Sequence, residues 1–397
     1  MLHLAQSAIE RIAQQVNRVG QYVPQELNIR NVLLFCVLSL LCLGSVMVVS
    51  ASMPYAEYMY DQPMYYATRH LVYMVAGLVA AIVAYNIRLE RWFENTVILW
   101  LGTALLLLLV LLIGNDVNGS KRWLSFPGFT VQPSEIAKFA MAVFTADYVV
   151  RRADEVRQNY KGFLRLGGPI LSMVILIMAE PDLGATAVIV CTMIGIFFLA
   201  GAPLVYFAIV AGMVVAGIGF LIAVEPYRLQ RLMSFSNPWE DPLGTGYQLS
   251  QSLMAFGRGE WFGTGLGHSI QKLSYLPEAH TDFMLAVLAE ELGFAGICTV
   301  FALSFLMLFC CMRIGHRALK NMHLRAGYLA YAIAIIFFLQ ICVNAGMNMG
   351  LLPTKGLTLP FISYGGTSLL VCAFMIGVMF KIERDTRDVY QEPKRTV

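Results

Sequence analysis

The chain has 397 residues, 58% of them hydrophobic and 13% charged, against roughly 25% charged in a soluble domain. Such a composition excludes an ordinary soluble enzyme and marks an integral membrane protein. The formal net charge of +3 argues for no nucleic-acid partner, because Lys and Arg lie in short loops beside apolar runs, where contact with the lipid bilayer's anionic headgroups accounts for them.

In chain order, residues 1–30 come first, with Leu2, Ala5, Ile9, Ile12, Val16 and Val19 at alternating spacings of three and four and Glu10, Arg11 and Arg18 off that stripe. This reads as an amphipathic helix on the inner membrane surface, with a partner-binding helix as the rival. The first long apolar run starts near residue 31, after too long a leader for a cleavable signal peptide. Runs of the length needed to cross about 30 Å of hydrocarbon as helix fall at about 31–51, 70–87, 96–114, 134–150, 168–180, 184–200, 203–224, 283–312, 327–348 and 364–381. The expected fold is therefore all-α, a polytopic membrane protein of about ten transmembrane helices in one domain over 31–382, with a cytoplasmic tail at 383–397.

Orientation follows from the basic residues, which collect in cytoplasmic loops. With both termini inside, 19 of the 28 Lys and Arg are cytoplasmic and 9 are not, so a large loop at 225–282, between helices 7 and 8, faces outward. Its run Gly263-Thr-Gly265-Leu-Gly267 follows no strand and precedes no Walker lysine, so a nucleotide site is not indicated; the glycines suit tight turns. The segments richest in helix breakers, 118–134, 179–184, 225–282 and 348–366, all fall on the outer side. Irregular backbone at membrane depth is tolerated only where it lines a cavity or is buried in protein, so together they predict an outward polar cleft. The eight cysteines lie inside apolar spans, with no spacing that predicts a disulfide or a metal framework.

The polar residues that stand out cluster at that cleft. Asp282 precedes the eighth span, with Glu278 and His280 just upstream. Glu290 lies eight positions on, about 80° around a helix and ~12 Å deeper, with Glu291 on nearly the opposite side. A lone aspartate at a helix start is more often a dipole-stabilised terminus, and the two glutamates have interhelical ion pairs as their bland explanation. Lys138, an i, i+3 neighbour of Glu135, is the expected cationic partner of such an acid, unless the two neutralise each other. Lys121, Arg122, Arg228, Arg231, Arg258, Lys272 and Lys355 also face outward; headgroup contact explains any one of them, but several together with Gln248, Gln251 and Ser252 would suit a diphosphate and sugars.

The motifs Asn118-Gly-Ser-Lys-Arg-Trp123, Val131-Gln-Pro-Ser-Glu-Ile-Ala-Lys-Phe139, Glu180-Pro-Asp-Leu-Gly184, Leu276-Pro-Glu-Ala-His-Thr-Asp-Phe283 and Leu359-Pro-Phe-Ile-Ser-Tyr-Gly-Gly366 resemble the SEDS family of peptidoglycan glycosyltransferases, in order and over nearly the whole chain. The stretches 277–282 and 348–363 resemble the family's division branch rather than its elongation branch. The resemblance implies polymerisation of lipid II, an undecaprenyl-diphosphate-linked disaccharide-pentapeptide, into a nascent glycan strand at the outer face of the inner membrane during septal wall synthesis. It places the essential aspartate at Asp282 and a supporting acid and base at Glu135 and Lys138, and adds Ser363 to the diphosphate and sugar contacts. It also implies a class B penicillin-binding transpeptidase and other divisome membrane proteins as partners.

The chemistry asks for little more. Displacing a sugar from a diphosphate needs one base and no acid on the leaving group, unlike glycoside hydrolysis. The leaving charge would be held by Lys and Arg or by a divalent cation, Mg2+ or Mn2+, with no organic cofactor. A lipid II flippase and a divisome scaffold are the competing functions.

Overall fold

A computed structural model describes residues 28–117, 120–126, 129–158, 160–209, 212, 237–353 and 356–387. The leader up to residue 27, the seventh span beyond 209, the first part of the large loop and the tail beyond 387 lie outside the described residues. So do Arg231 and Lys355.

The apolar runs form long helices: α1 Ile29–Tyr60, α2 Tyr65–Asn86, the short α3 Leu89–Glu94, and α4 Thr96–Ile113. After a small sheet come α5 Pro133–Arg151, the short α6 Ala153–Gln158, α7 Tyr160–Ala179 and α8 Leu183–Leu199. The chain continues through α9 Tyr247–Gly259, α10 Met284–Lys320, α11 Leu324–Asn348 and α12 Gly366–Arg387. Among the described residues six helices are long and apolar enough to cross a membrane. Leu71, Val72, Val75, Leu78, Val79 and Ile82 on α2 stay exposed, as a face turned to lipid requires where no aqueous penalty acts.

The bundle is built around α5. From Pro133 to Val149 every residue of this helix except Ile136 is buried, against α4, α8 and α11. The other central contacts are α2 on α12 and α10 on both α1 and α11. Three departures from the expected architecture are local. A three-stranded antiparallel sheet, β1 Asn115–Val117, β2 Ser120–Phe126 and β3 Phe129–Val131, pairs Asn115 with Trp123 and Leu124 with Val131. It interrupts an otherwise all-α chain where α4 passes to α5. The last helix runs on to Arg387, beyond the expected 381. The large loop is not mere turns: α9 packs on α10, and the glycines serve that approach. A side chain at Gly259 or at Gly263 (φ +79°) would collide with the α10 carbonyls of Ala289 or Glu291. α10 opens to meet them at Gly293 (φ +66°), its one non-helical residue, a conformation glycine adopts without a Cβ penalty.

Candidate active site

Asp282 sits in the turn at 276–283, just ahead of α10. Its position is set by the backbone: two asparagines from the last turns of α11 donate to its carbonyl, Asn344 Nδ2 at 2.9 Å and Asn348 Nδ2 at 3.0 Å. Asn344 Nδ2 also reaches the Leu357 carbonyl at 2.6 Å, so one side chain ties the 276–283 turn to the segment entering α12. The Asp282 carboxyl faces Gly356, where a Cβ would come within 3.0 Å of Oδ2 and 3.8 Å of Arg122 Nη1. The absence of a side chain at Gly356 thus lets acid and guanidinium approach the same stretch of backbone.

Arg122 comes from β2 and is held from behind. Its Nε donates to the Glu180 carbonyl at 3.1 Å and its Nη2 to the Pro181 carbonyl at 2.5 Å. Those two carbonyls belong to the turn between α7 and α8, which Asp182 anchors. Asp182 caps α8 by accepting from the Ala185 N–H at 3.0 Å, and it also accepts from Ser134 Oγ at 2.9 Å and Gln132 Nε2 at 3.2 Å at the start of α5. The small sheet, the α7–α8 turn, the α5 N-terminus, the 276–283 turn and the 356–360 segment therefore meet at one end of the bundle.

The charges there do not balance. Asp282 keeps some exposed surface, yet its carboxyl is pushed up to about 7, chiefly by burial and further by Glu278 and Asp182, with Arg122 opposing. Burial, with Asp182 adding to it and Arg122 opposing, raises the Glu180 carboxyl to about 8. Glu180 is fully buried, and among the described residues neither of its side-chain oxygens has a hydrogen-bond partner.

The other expected site residues divide sharply. Lys138 does not pair with Asp282: its Nζ lies 2.7 Å from Glu135 Oε1 and both are buried inside α5, so among the described residues the cation acting on Asp282 is Arg122. Glu290 does not line the cleft either. It accepts from Ser269 Oγ and from the Ile270 and Gln271 N–H groups and lies 3.4 Å from Arg258 Nη1, because α9 folds the loop back onto α10 at that depth. Lys272 is no free diphosphate ligand, since its Nζ bonds Glu291 Oε1 at 2.7 Å and Ser50 Oγ at 2.9 Å. Ser363 is buried, its Oγ accepting from the Leu359 N–H at 3.0 Å, which braces the turn before α12. His280 is a packing ring, with centroids 4.6 Å from Tyr66, 5.4 Å from Tyr55 and 5.8 Å from Tyr364. Burial, against the opposing charge of Glu278, lowers its basicity. Lys121 is exposed on β2, and Gln248 and Gln251 lie half-buried on α9.

Residue reading passed over Asn344, Asn348, Gly356 and the side chain of Asp182. Two asparagines one turn apart in an apolar helix are costly unless they bond something, and that was the usable signal. Among the described residues no three His, Cys, Asp or Glu side chains are arranged to hold a metal.

Residues 30–388 match the family model described as the cell cycle protein of FtsW, RodA and SpoVE. The chain is 64% identical over 389 residues to the probable peptidoglycan glycosyltransferase FtsW of Acinetobacter baylyi, covering 98% of each chain. It is 45% identical over 355 residues to the FtsW of Escherichia coli O157:H7 that carries the same description, covering 89% of this chain and 86% of that one. Among solved structures it resembles a chain from the structural coordination of polymerization and crosslinking by a peptidoglycan synthase complex, at TM-score 0.73 and 26% identity, covering 91% of this chain and 98% of that one. The rod-shape-determining protein RodA of Thermus thermophilus aligns at TM-score 0.65 and 25% identity over 91% of this chain and 97% of its own. The chain belongs to the cell cycle protein family of FtsW, RodA and SpoVE, the SEDS proteins that its motifs resemble.

Proposed function

We propose that Asp282 is the general base with which this chain, a peptidoglycan glycosyltransferase, polymerises lipid II at the outer face of the inner membrane. One observation carries the reading: the Asp282 carboxyl and the Arg122 guanidinium converge on Gly356, close enough that a Cβ there would lie 3.0 Å from Oδ2 and 3.8 Å from Nη1. Asp282 would take the proton from the acceptor sugar's 4-hydroxyl as that oxygen attacks the donor's anomeric carbon. The anomeric C–O bond breaks, the electron pair leaves with undecaprenyl diphosphate, and α becomes β. A carboxyl raised to about 7 is a far better base than an ordinary aspartate and is still about half ionised at neutral pH, the compromise that favours proton transfer. Arg122, with a fixed charge and a rigid fork, suits the departing diphosphate. A divalent cation on that diphosphate would share its charge, with no protein cage required.

The basic-residue bias supports placing this end of the bundle outside. Likeness to division-type relatives supports a septal role, and likeness to a peptidoglycan synthase complex chain supports work beside a class B transpeptidase. The test is purified Asp282→Asn, with its transpeptidase, given lipid II. Lipid binding should persist while polymer falls about 10²- to 10⁴-fold. Normal glycan from that variant would discard the reading and return the chain to lipid II translocation or scaffolding.

A further inference from the structure

The most anomalous group near the site is one that base catalysis leaves idle. Glu180 is sealed from water, and among the described residues neither carboxyl oxygen receives a donor. The cation beside it does not repair this, because Arg122 spends Nε and Nη2 on the backbone carbonyls of Glu180 and Pro181 and turns Nη1 toward Gly356. The other charged group acting on it, Asp182, repels a second negative charge. A carboxylate without donors or water in such surroundings is too costly to persist, so the group is held as the neutral acid.

We propose that Glu180 is a positioning residue that works in its protonated form: uncharged, it leaves the Arg122 charge undivided for Asp282 and the diphosphate, and once ionised it draws Arg122 into a carboxylate pair and stops turnover. The two states differ by one proton, and no other group need change. This rests on Asp282 as the base, but the two ideas answer to different arms of one pH profile. Asp282 must be ionised, so the rate climbs as pH rises through about 7. Glu180 must be protonated, so the rate falls as pH rises through about 8. A narrow bell follows.

The experiment is the pH profile of polymerisation by the full chain with its transpeptidase, for wild type and Glu180→Gln. Glutamine keeps the shape and cannot ionise. Wild type should lose roughly sixfold between its optimum and one unit above the alkaline midpoint, whereas E180Q should stay within about twofold, with its acid limb unmoved. An unchanged alkaline limb in E180Q would overturn the proposal, and so would a folded E180Q that is inactive at its optimum, since that would mean the charge is required. A missing acid limb would count against Asp282 alone. If E180Q fails to fold, infrared titration of the Asp282→Asn protein supplies the answer, because its own aspartate has been removed. A protonated-carboxyl band that disappears near pH 8 is expected, and its absence throughout would refute the neutral acid.

Discussion

Two groups of buried acids flank the start of α10, and they are built on opposite rules. Glu290 and Glu291 are fully buried and fully used. The first takes Ser269, two backbone N–H groups and Arg258; the second takes Lys272 and Ser50. Asp282 and Glu180 share Arg122 as a neighbouring cation, and among the described residues neither carboxyl oxygen of Glu180 has a hydrogen-bond partner. A carboxylate whose lone pairs are all spent has its position settled, and it serves as a clasp. A carboxylate left short of donors keeps a raised pKa and can move a proton, which is why unsatisfied acids mark the chemistry and satisfied ones the scaffold. The supply of donors is what separates the two sets.

The sharpest way to break this contrast is to remove one acid from each side. Asp282→Asn should abolish polymer while leaving the detergent melting temperature near that of wild type. On the clasp, Lys272→Met or Glu291→Met alone should destabilise by about 3–5 kcal/mol, because each leaves an uncompensated buried charge. The double variant should recover much of that loss. Thermal unfolding in detergent reads all three, and polymer yield at a permissive temperature should follow folding rather than chemistry. A clasp variant that melts normally yet makes no glycan would erase the distinction.

How much of this could be read beforehand depended on whether the physics was local. Helices followed from composition, since a run of apolar residues has one low-energy state in lipid whatever its neighbours. Asp282 stood out because an acid at the entry to an apolar run is a local anomaly. Lys272 and Arg122 did not differ in sequence, both being basic residues in outward segments. Only the fold sends Lys272 to Glu291 and Arg122 to Gly356. Lys138 illustrates the same limit, its i, i+3 pairing with Glu135 being visible and its seclusion within α5 not. The sheet at 115–131 escaped notice because its strands are short and mix Asn, Asp, Lys, Arg and Ser with few β-branched residues, so neither alternation nor propensity marks it.

A smaller effect sharpens the electrostatic half of the comparison. Arg122 opposes the rise of the Asp282 pKa, so Arg122→Gln should raise it further. The acid limb of the pH profile should then move to higher pH, at a cost of about tenfold at fixed acid pH for each unit moved. Arg122→Lys should restore the charge but not the fork that grips the 180–181 carbonyls, and so should recover only part of the shift. A limb that stays in place in R122Q would mean that the guanidinium does not act on the base.

The smallest effect is expected at His280, two residues from the base and the residue a sequence reader would most readily enlist as an acid or base. Its ring lies among Tyr55, Tyr66 and Tyr364, and burial disfavours its charged form. If the ring only packs, Phe should replace it with less than about a threefold change in turnover and no change in the pH profile, whereas His280→Ala should cost about 1 kcal/mol or more through lost ring contacts. If His280 carried a proton in the reaction, H280F would flatten one limb of the profile while keeping the fold. The phenylalanine variant therefore tests whether the proton chemistry ends at Asp282 or extends along the turn that carries it.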